Sequence, residues 1–101
     1  MKRVSSPIKN LAAAIVIQAV KDYRTALHYL RRHPHTPDLD TKEAKEDEQK
    51  RKLRKNIVEK ENVRDEIEQF FCSGWFMELT DLNGKALMEK IRRMEVAGSD
   101  A

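Results

Sequence analysis

Cysteine, glycine and proline are all scarce in this chain. A single cysteine, Cys72, excludes an intrachain disulfide and fits a reducing compartment. Only three Gly and three Pro, beside 37% charged residues, argue for long helices rather than a turn-rich sheet protein. No window alternates with period two for long enough to predict a strand, and no internal repeat is present. Long apolar runs are missing too. The best, Leu11 to Val20, has nine apolar residues in ten, whereas a bilayer span needs about 20. Lys2, Arg3 and Lys9 precede it in the manner of a secretory signal. However, Pro7 and Asn10 interrupt the approach, no small-x-small cleavage site follows, and the apolar pattern continues beyond Lys21. The expectation is a cytoplasmic protein with no membrane partner. Walker, GxGxxG, GxSxG and paired His-Glu motifs are likewise absent, which leaves nucleotide, dinucleotide, serine-hydrolase and zinc-protease chemistry without a sequence signal.

What the chain does have is charge, unevenly placed. Residues 42 to 56, KEAKEDEQKRKLRKN, carry eleven charged side chains among fifteen with Leu53 as the one large apolar residue. That segment is expected to stand in water and to separate two apolar blocks. Residues 1 to 36 hold seven Lys or Arg against one acid, residues 37 to 71 nine against eleven, and residues 72 to 101 four against five. Basic character therefore sits on the first helix, where it attracts phosphate or an acidic protein. At 101 residues the chain is one domain with a small core, which self-association would support.

The predicted fold class is all-α: a long helical hairpin closed by a short aromatic helix and a C-terminal helix. The first helix spans 7 to 33, with Ser6 as N-cap and Pro7 at its first position, or starts one turn later at Asn10. Val16, Val20, Tyr23, Leu27 and Leu30 recur at spacings of four and three and form its buried stripe. Ile15 and Ile17 lie off that stripe, so Leu11 to Val20 is apolar nearly all round and needs cover on a second side. A connector follows at 34 to 39, fixed by Pro34 and Pro37.

The charged second helix, 40 to 72, is expected to start from Asp40 as N-cap with Glu43 three residues on. Pairs such as Glu46 with Lys50, Asp47 with Arg51 and Glu48 with Lys52 hold its early turns, each worth only about 0.2 to 0.5 kcal/mol. An apolar face appears from Leu53 through Ile57, Val63, Ile67, Phe70 and Phe71. A short helix at 73 to 80, capped by Ser73, and a last helix at 83 to 95, capped by Asn83, complete the chain before a disordered tail at 96 to 101.

Candidate chemistry is weak on every count. His28, His33, His35 and Cys72 lack metal-ligand spacing, so no metal and no cofactor is expected. Cys72, late in a helix beside Phe70 and Phe71, reads as a buried thiol rather than a nucleophile. Asp81-x-Asn83-Gly84 resembles part of a calcium loop, but that register would put Leu79 at the first ligand and Lys90 at the twelfth. Carboxylates are plentiful but lie on charge-alternating helix surface, and no enzyme is predicted. Phe70, Phe71, Trp75 and Phe76 read as core, with an exposed aromatic anchor for a partner as the alternative. The basic strip Lys21, Arg24, Arg31 and Arg32, with His28 at the same spacings, is the candidate nucleic-acid contact, better than the run Lys50 to Lys55, whose charges spread round the helix. Leu11, Ile15, Ile17 and Val20 are the candidate protein interface, most simply that of a homodimer.

Three segments carry a family resemblance. Residues 18 to 27 read QAVKDYRTAL, residues 70 to 76 FFCSGWF and residues 79 to 87 LTDLNGKAL. Together they resemble short uncharacterised proteins of Firmicutes prophages and integrative (mobile) elements, which share QAVxDYRxAL, FFxSxWF and LTDxxG. The resemblance covers both apolar blocks and not the charged arm. It implies a phage or mobile-element setting and assigns no mechanism. The expected function is therefore a non-enzymatic interaction protein that docks on a host or phage protein or a nucleoprotein complex. A small, charged, cofactor-free chain of this kind suits a host-defence inhibitor of the anti-CRISPR type, which blocks a nucleic-acid groove. The competing class is a small nucleic-acid-binding regulator using the basic strip.

Overall fold

The computed structural model describes residues 7 to 98, with side chains from 10 to 97. The fold is all-α: α1 (Pro7–Arg32), a 3-10 turn (Pro37–Asp40), α2 (Lys42–Glu46), α3 (Glu48–Phe71), α4 (Gly74–Leu79) and α5 (Gly84–Gly98). α1 and α3 form the long antiparallel hairpin, α4 closes the end where α3 stops, and α5 returns alongside both. The result is elongated, 64 × 28 × 20 Å. Among the described residues no helix is long and apolar enough to cross a membrane. The expected Ser6 cap and residues 99 to 101 lie outside the described residues, and residues 96 to 98, expected to be tail, belong to α5.

The core sits at the closed end. Val16 and Tyr23 of α1, Phe71 of α3, Phe76 of α4 and Ile91 of α5 form one buried cluster, with Val20, Leu27, Ile67 and Phe70 packed against it. Three edge-to-face ring pairs lock it: Tyr23 on Phe71 at 5.5 Å, Phe70 on Phe76 at 5.4 Å and Phe71 on Phe76 at 5.4 Å. This geometry sets the positive ring edge on the negative face and adds about 0.5 to 1.5 kcal/mol per pair beyond area burial. Gly84 is required by the same packing. A Cβ there would lie 1.7 Å from the Phe71 carbonyl oxygen, so only glycine lets α5 start against the end of α3.

Helix ends follow local chemistry. Ser73 Oγ accepts the Phe76 amide at 3.2 Å and Asn83 Oδ1 accepts the Ala86 amide at 3.0 Å, the two caps expected from sequence. The charged arm departs from expectation. Instead of one helix from 40 to 72, the chain breaks at Asp47, whose backbone is extended and whose Oδ1 accepts the amides of Gln49 at 2.9 Å and Lys50 at 3.2 Å. With no apolar stripe to reward continuity, a well-placed Asp competes successfully with the helical ladder. Thr41, not Asp40, caps α2.

The break has a packing consequence. It folds the 3-10 turn and α2 back onto the start of α3, where Leu39 and Ala44 are buried and Leu53 is half-buried. The arm is thus not simply a wet rod; it carries its own small apolar contact. Of the three expected helical pairs only Glu48 with Lys52 forms, at 3.1 Å, while Lys50 turns to Asp38 at 3.6 Å and Arg51 donates to the Lys45 carbonyl at 3.2 Å.

Two core assignments are corrected. Trp75 is 61% exposed, because a helix of six residues offers the core one side and Phe76 occupies it. Cys72 is exposed rather than buried. It is the C-cap of α3, one position past the last helical residue.

Candidate interaction face on the first helix

The inward stripe of α1 fills the core, which fixes what the outward face presents. Val16, Tyr23 and Ala26 are buried, and Val20, Leu27 and Leu30 half-buried, as their three-and-four spacing dictates. Val20 packs against the core cluster, so it is withdrawn from the expected interface. Ile15 is half-buried. Leu11 at 62% and Ile17 at 53% exposure remain on the surface with Ala13 and Ala14. Among the described residues nothing covers Leu11 or Ile17, and the polar Asn10 and Gln18 are exposed beside them.

Further along the same side the chemistry changes to basic. Lys21, Arg24 and Arg32 are exposed and line a wide, open depression with His28, Tyr29, His33 and, at its edge, the carboxylate of Glu95. None of these three cations makes an ion pair among the described residues, in contrast to Arg54, Arg64 and Arg92, each within 3.0 Å of a carboxylate. Arg31, expected in the strip, is diverted. Its Nη1 donates to the Glu95 carbonyl at 2.9 Å and lies 4.0 Å from the Glu95 carboxylate, so it ties α1 to α5. His28 joins it, its Nδ1 3.2 Å from Glu95 Oε2.

Two polar clusters had no sequence signal, because their members lie far apart in the chain. In the first, the Tyr23 hydroxyl donates to Glu68 Oε2 at 2.7 Å and accepts from Arg92 Nε at 2.9 Å, while Arg92 Nη2 donates to the same carboxylate oxygen at 2.6 Å. Burial, then the Glu68 carboxylate beside it, pushes the Tyr23 phenol up to about 12. Burial alone would raise Glu68, but the Arg92 and Tyr23 donors outweigh it and hold the carboxyl below its ordinary range. The cluster satisfies itself across α1, α3 and α5, and its chemistry is that of a brace.

The second cluster fixes the connector. His35 Nε2 lies 2.9 Å from Asp40 Oδ1 and its Nδ1 3.1 Å from Glu61 Oε2, and Arg54 Nε donates to the same Asp40 oxygen at 2.8 Å. Only the imidazolium can donate to both carboxylates at once. The Asp40 and Glu61 hydrogen bonds accordingly raise His35 above its usual value, and His35 and Arg54 lower Asp40. Among the described residues no group of three or more His, Cys, Asp or Glu side chains is placed to hold a metal ion.

A second apolar surface lies at the closed end, where Trp75, Met77 (74% exposed) and Leu82 (54%) stand out from α4 and the turn after it. No family model, curated protein or solved structure matches the chain.

Proposed function

We propose that this is a non-enzymatic interaction protein that docks on another protein or a nucleoprotein complex through the outward face of α1, and that two copies join at the apolar end of that face. The observation that carries this reading is Leu11 and Ile17, 62% and 53% exposed on a helix whose other stripe already fills the core. Large apolar side chains left exposed on a helix gain free energy when something covers them, at about 25 cal/mol per Å² of apolar area buried. The ionisable clusters support the same reading. Tyr23, Glu68 and Arg92 bind one another, as do His35, Asp40, Glu61 and Arg54, so their donors and acceptors serve the fold.

The phage or mobile-element setting rests on the resemblance carried by residues 18 to 27, 70 to 76 and 79 to 87. Within it, a host-defence inhibitor of the anti-CRISPR type is one form a docking protein of this size takes. The test is Ile17→Glu. Sedimentation equilibrium should give a dimer for the parent chain and a monomer for the variant, with helicity unchanged because Ile17 faces outward. An identical mass before and after substitution rules out this interface.

A further inference from the structure

We infer that the basic half of the α1 face binds single-stranded nucleic acid, with Lys21, Arg24 and Arg32 on the phosphates and the stacked Tyr29–His33 pair as a platform for a base. This rests on the reading of α1 as the docking surface and names the partner of its second half. Three observations meet on this one surface. Lys21, Arg24 and Arg32 are exposed, share one depression and make no ion pair among the described residues. Tyr29 and His33 stack within it, their ring centroids 4.3 Å apart and their planes 23° from parallel. His33 is held there by its own Nδ1, 3.1 Å from the Tyr29 carbonyl oxygen, and is itself exposed.

Helix stability does not account for the strip. Arg31 and Arg32 stand in the last turn, where cations answer the negative end of the helix dipole. Lys21 and Arg24 lie in the middle of α1, where that dipole contributes nothing. From Lys21 to Arg32 is about 16 Å at ~1.5 Å per residue, enough for several phosphates of a strand that rises roughly 3.4 Å per nucleotide when stacked. Cations that follow a backbone beside an aromatic face that takes a base are the parts of a single-strand site. A duplex would use the cations and leave the platform idle. An acidic protein would do the same, which makes the ring pair the discriminating feature. Phosphates and base faces are common to DNA and RNA, so both are expected to bind alike.

The test is fluorescence anisotropy with labelled twelve-nucleotide oligo-dT, oligo-rU and a duplex of equal length, titrated with the full chain. Single strands should bind more tightly than duplex, and three neutralised phosphates predict a loss of about 20-fold between 50 and 200 mM salt. Arg24→Glu with Arg32→Glu should weaken single-strand binding at least tenfold. His33→Ala should cost about fivefold or more on single strands and leave duplex binding unchanged. Lys90→Glu, an exposed cation on α5, is the control for net charge, and circular dichroism checks that each variant is folded. Equal affinity for duplex, indifference to His33→Ala, or competition by polyglutamate as effective as by oligonucleotide overturns the inference, the last by assigning the strip to an acidic protein. A parent chain that binds no oligonucleotide, while Ile17→Glu still halves the mass, sinks this inference and leaves the docking proposal standing. Oligonucleotide binding kept in an Ile17→Glu chain whose mass never changes does the reverse.

Discussion

The two ends of the hairpin are stabilised by different means. At the closed end four elements converge on Tyr23, Phe71, Phe76 and Ile91, aromatic rings interlock, and even the brace of Tyr23, Glu68 and Arg92 is attached to a core residue. At the open end Leu39, Ala44 and Ile57 are buried as a smaller, all-aliphatic set beside charged side chains, and His35 links the connector to α3 through Glu61. Burial is cooperative and insensitive to pH. Charge-assisted hydrogen bonds at half-exposed positions are local, screened by salt and dependent on protonation. One molecule thus contains a firm head and a conditional arm, and the basic half of α1 runs from the first towards the second.

Perturbing the head should have the largest effect. Phe76→Ala removes a fully buried ring that two neighbouring rings meet edge-on, and a loss of about 3 to 5 kcal/mol is expected in urea unfolding, enough to unfold a chain of this size. Leu39→Ala should cost less, about 2 kcal/mol, and the loss should be confined. Hydrogen exchange is expected to rise across residues 37 to 46 while Tyr23 and Phe71 keep their protection. A uniform rise along the chain would instead mean that arm and head unfold as one unit.

Tyr23→Phe tests whether the brace matters to the head. It deletes a hydroxyl that both donates and accepts and leaves Arg92 Nε without that acceptor, at an expected cost of about 1 to 2 kcal/mol. No change in the urea midpoint would show that water replaces the hydroxyl at no loss.

The smallest effect, and the sharpest for the comparison, is that of pH on the arm. His35 titrates above its ordinary value in the folded chain, so its contribution is complete below about pH 6.5 and is lost as pH rises through the raised value. Asp40 titrates below its ordinary value, so its contribution is present above about pH 3.9 and is lost as pH falls through the lowered value. The groups facing His35 are Asp40, Glu61 and, through Asp40, Arg54. Protection of residues 35 to 46, corrected for intrinsic exchange, should be greatest near pH 5 to 6 and fall by pH 9, while the head stays constant. His35→Asn should abolish the difference; if the pH dependence survives that change, the latch lies elsewhere.

Much of this fold is legible residue by residue. The stripe Val16, Val20, Tyr23, Leu27 and Leu30, the caps Ser73 and Asn83, and the hairpin closed by a short aromatic helix all follow from spacing and from short-range hydrogen bonding, which act within one or two turns. The exposure of Ile17 is equally readable from its place off the stripe, whereas Ile15, read the same way, is half-buried. The diversion of Arg31 is not legible in this way, because it depends on which helix arrives alongside α1.

The primary structure therefore determined the first and last helices, the caps at Ser73 and Asn83, the basic half of α1 and the solvation of most of the arm, because those are set by neighbours three or four residues away. Tertiary structure alone decided that Leu39 and Ala44 are buried, that Trp75 and Cys72 face outward, and that Tyr23 meets Arg92 across 69 residues and His35 meets Glu61 across 26. Contacts of that separation exist only after loop closure brings distant faces together, and no local propensity encodes which charged side chain will be waiting there.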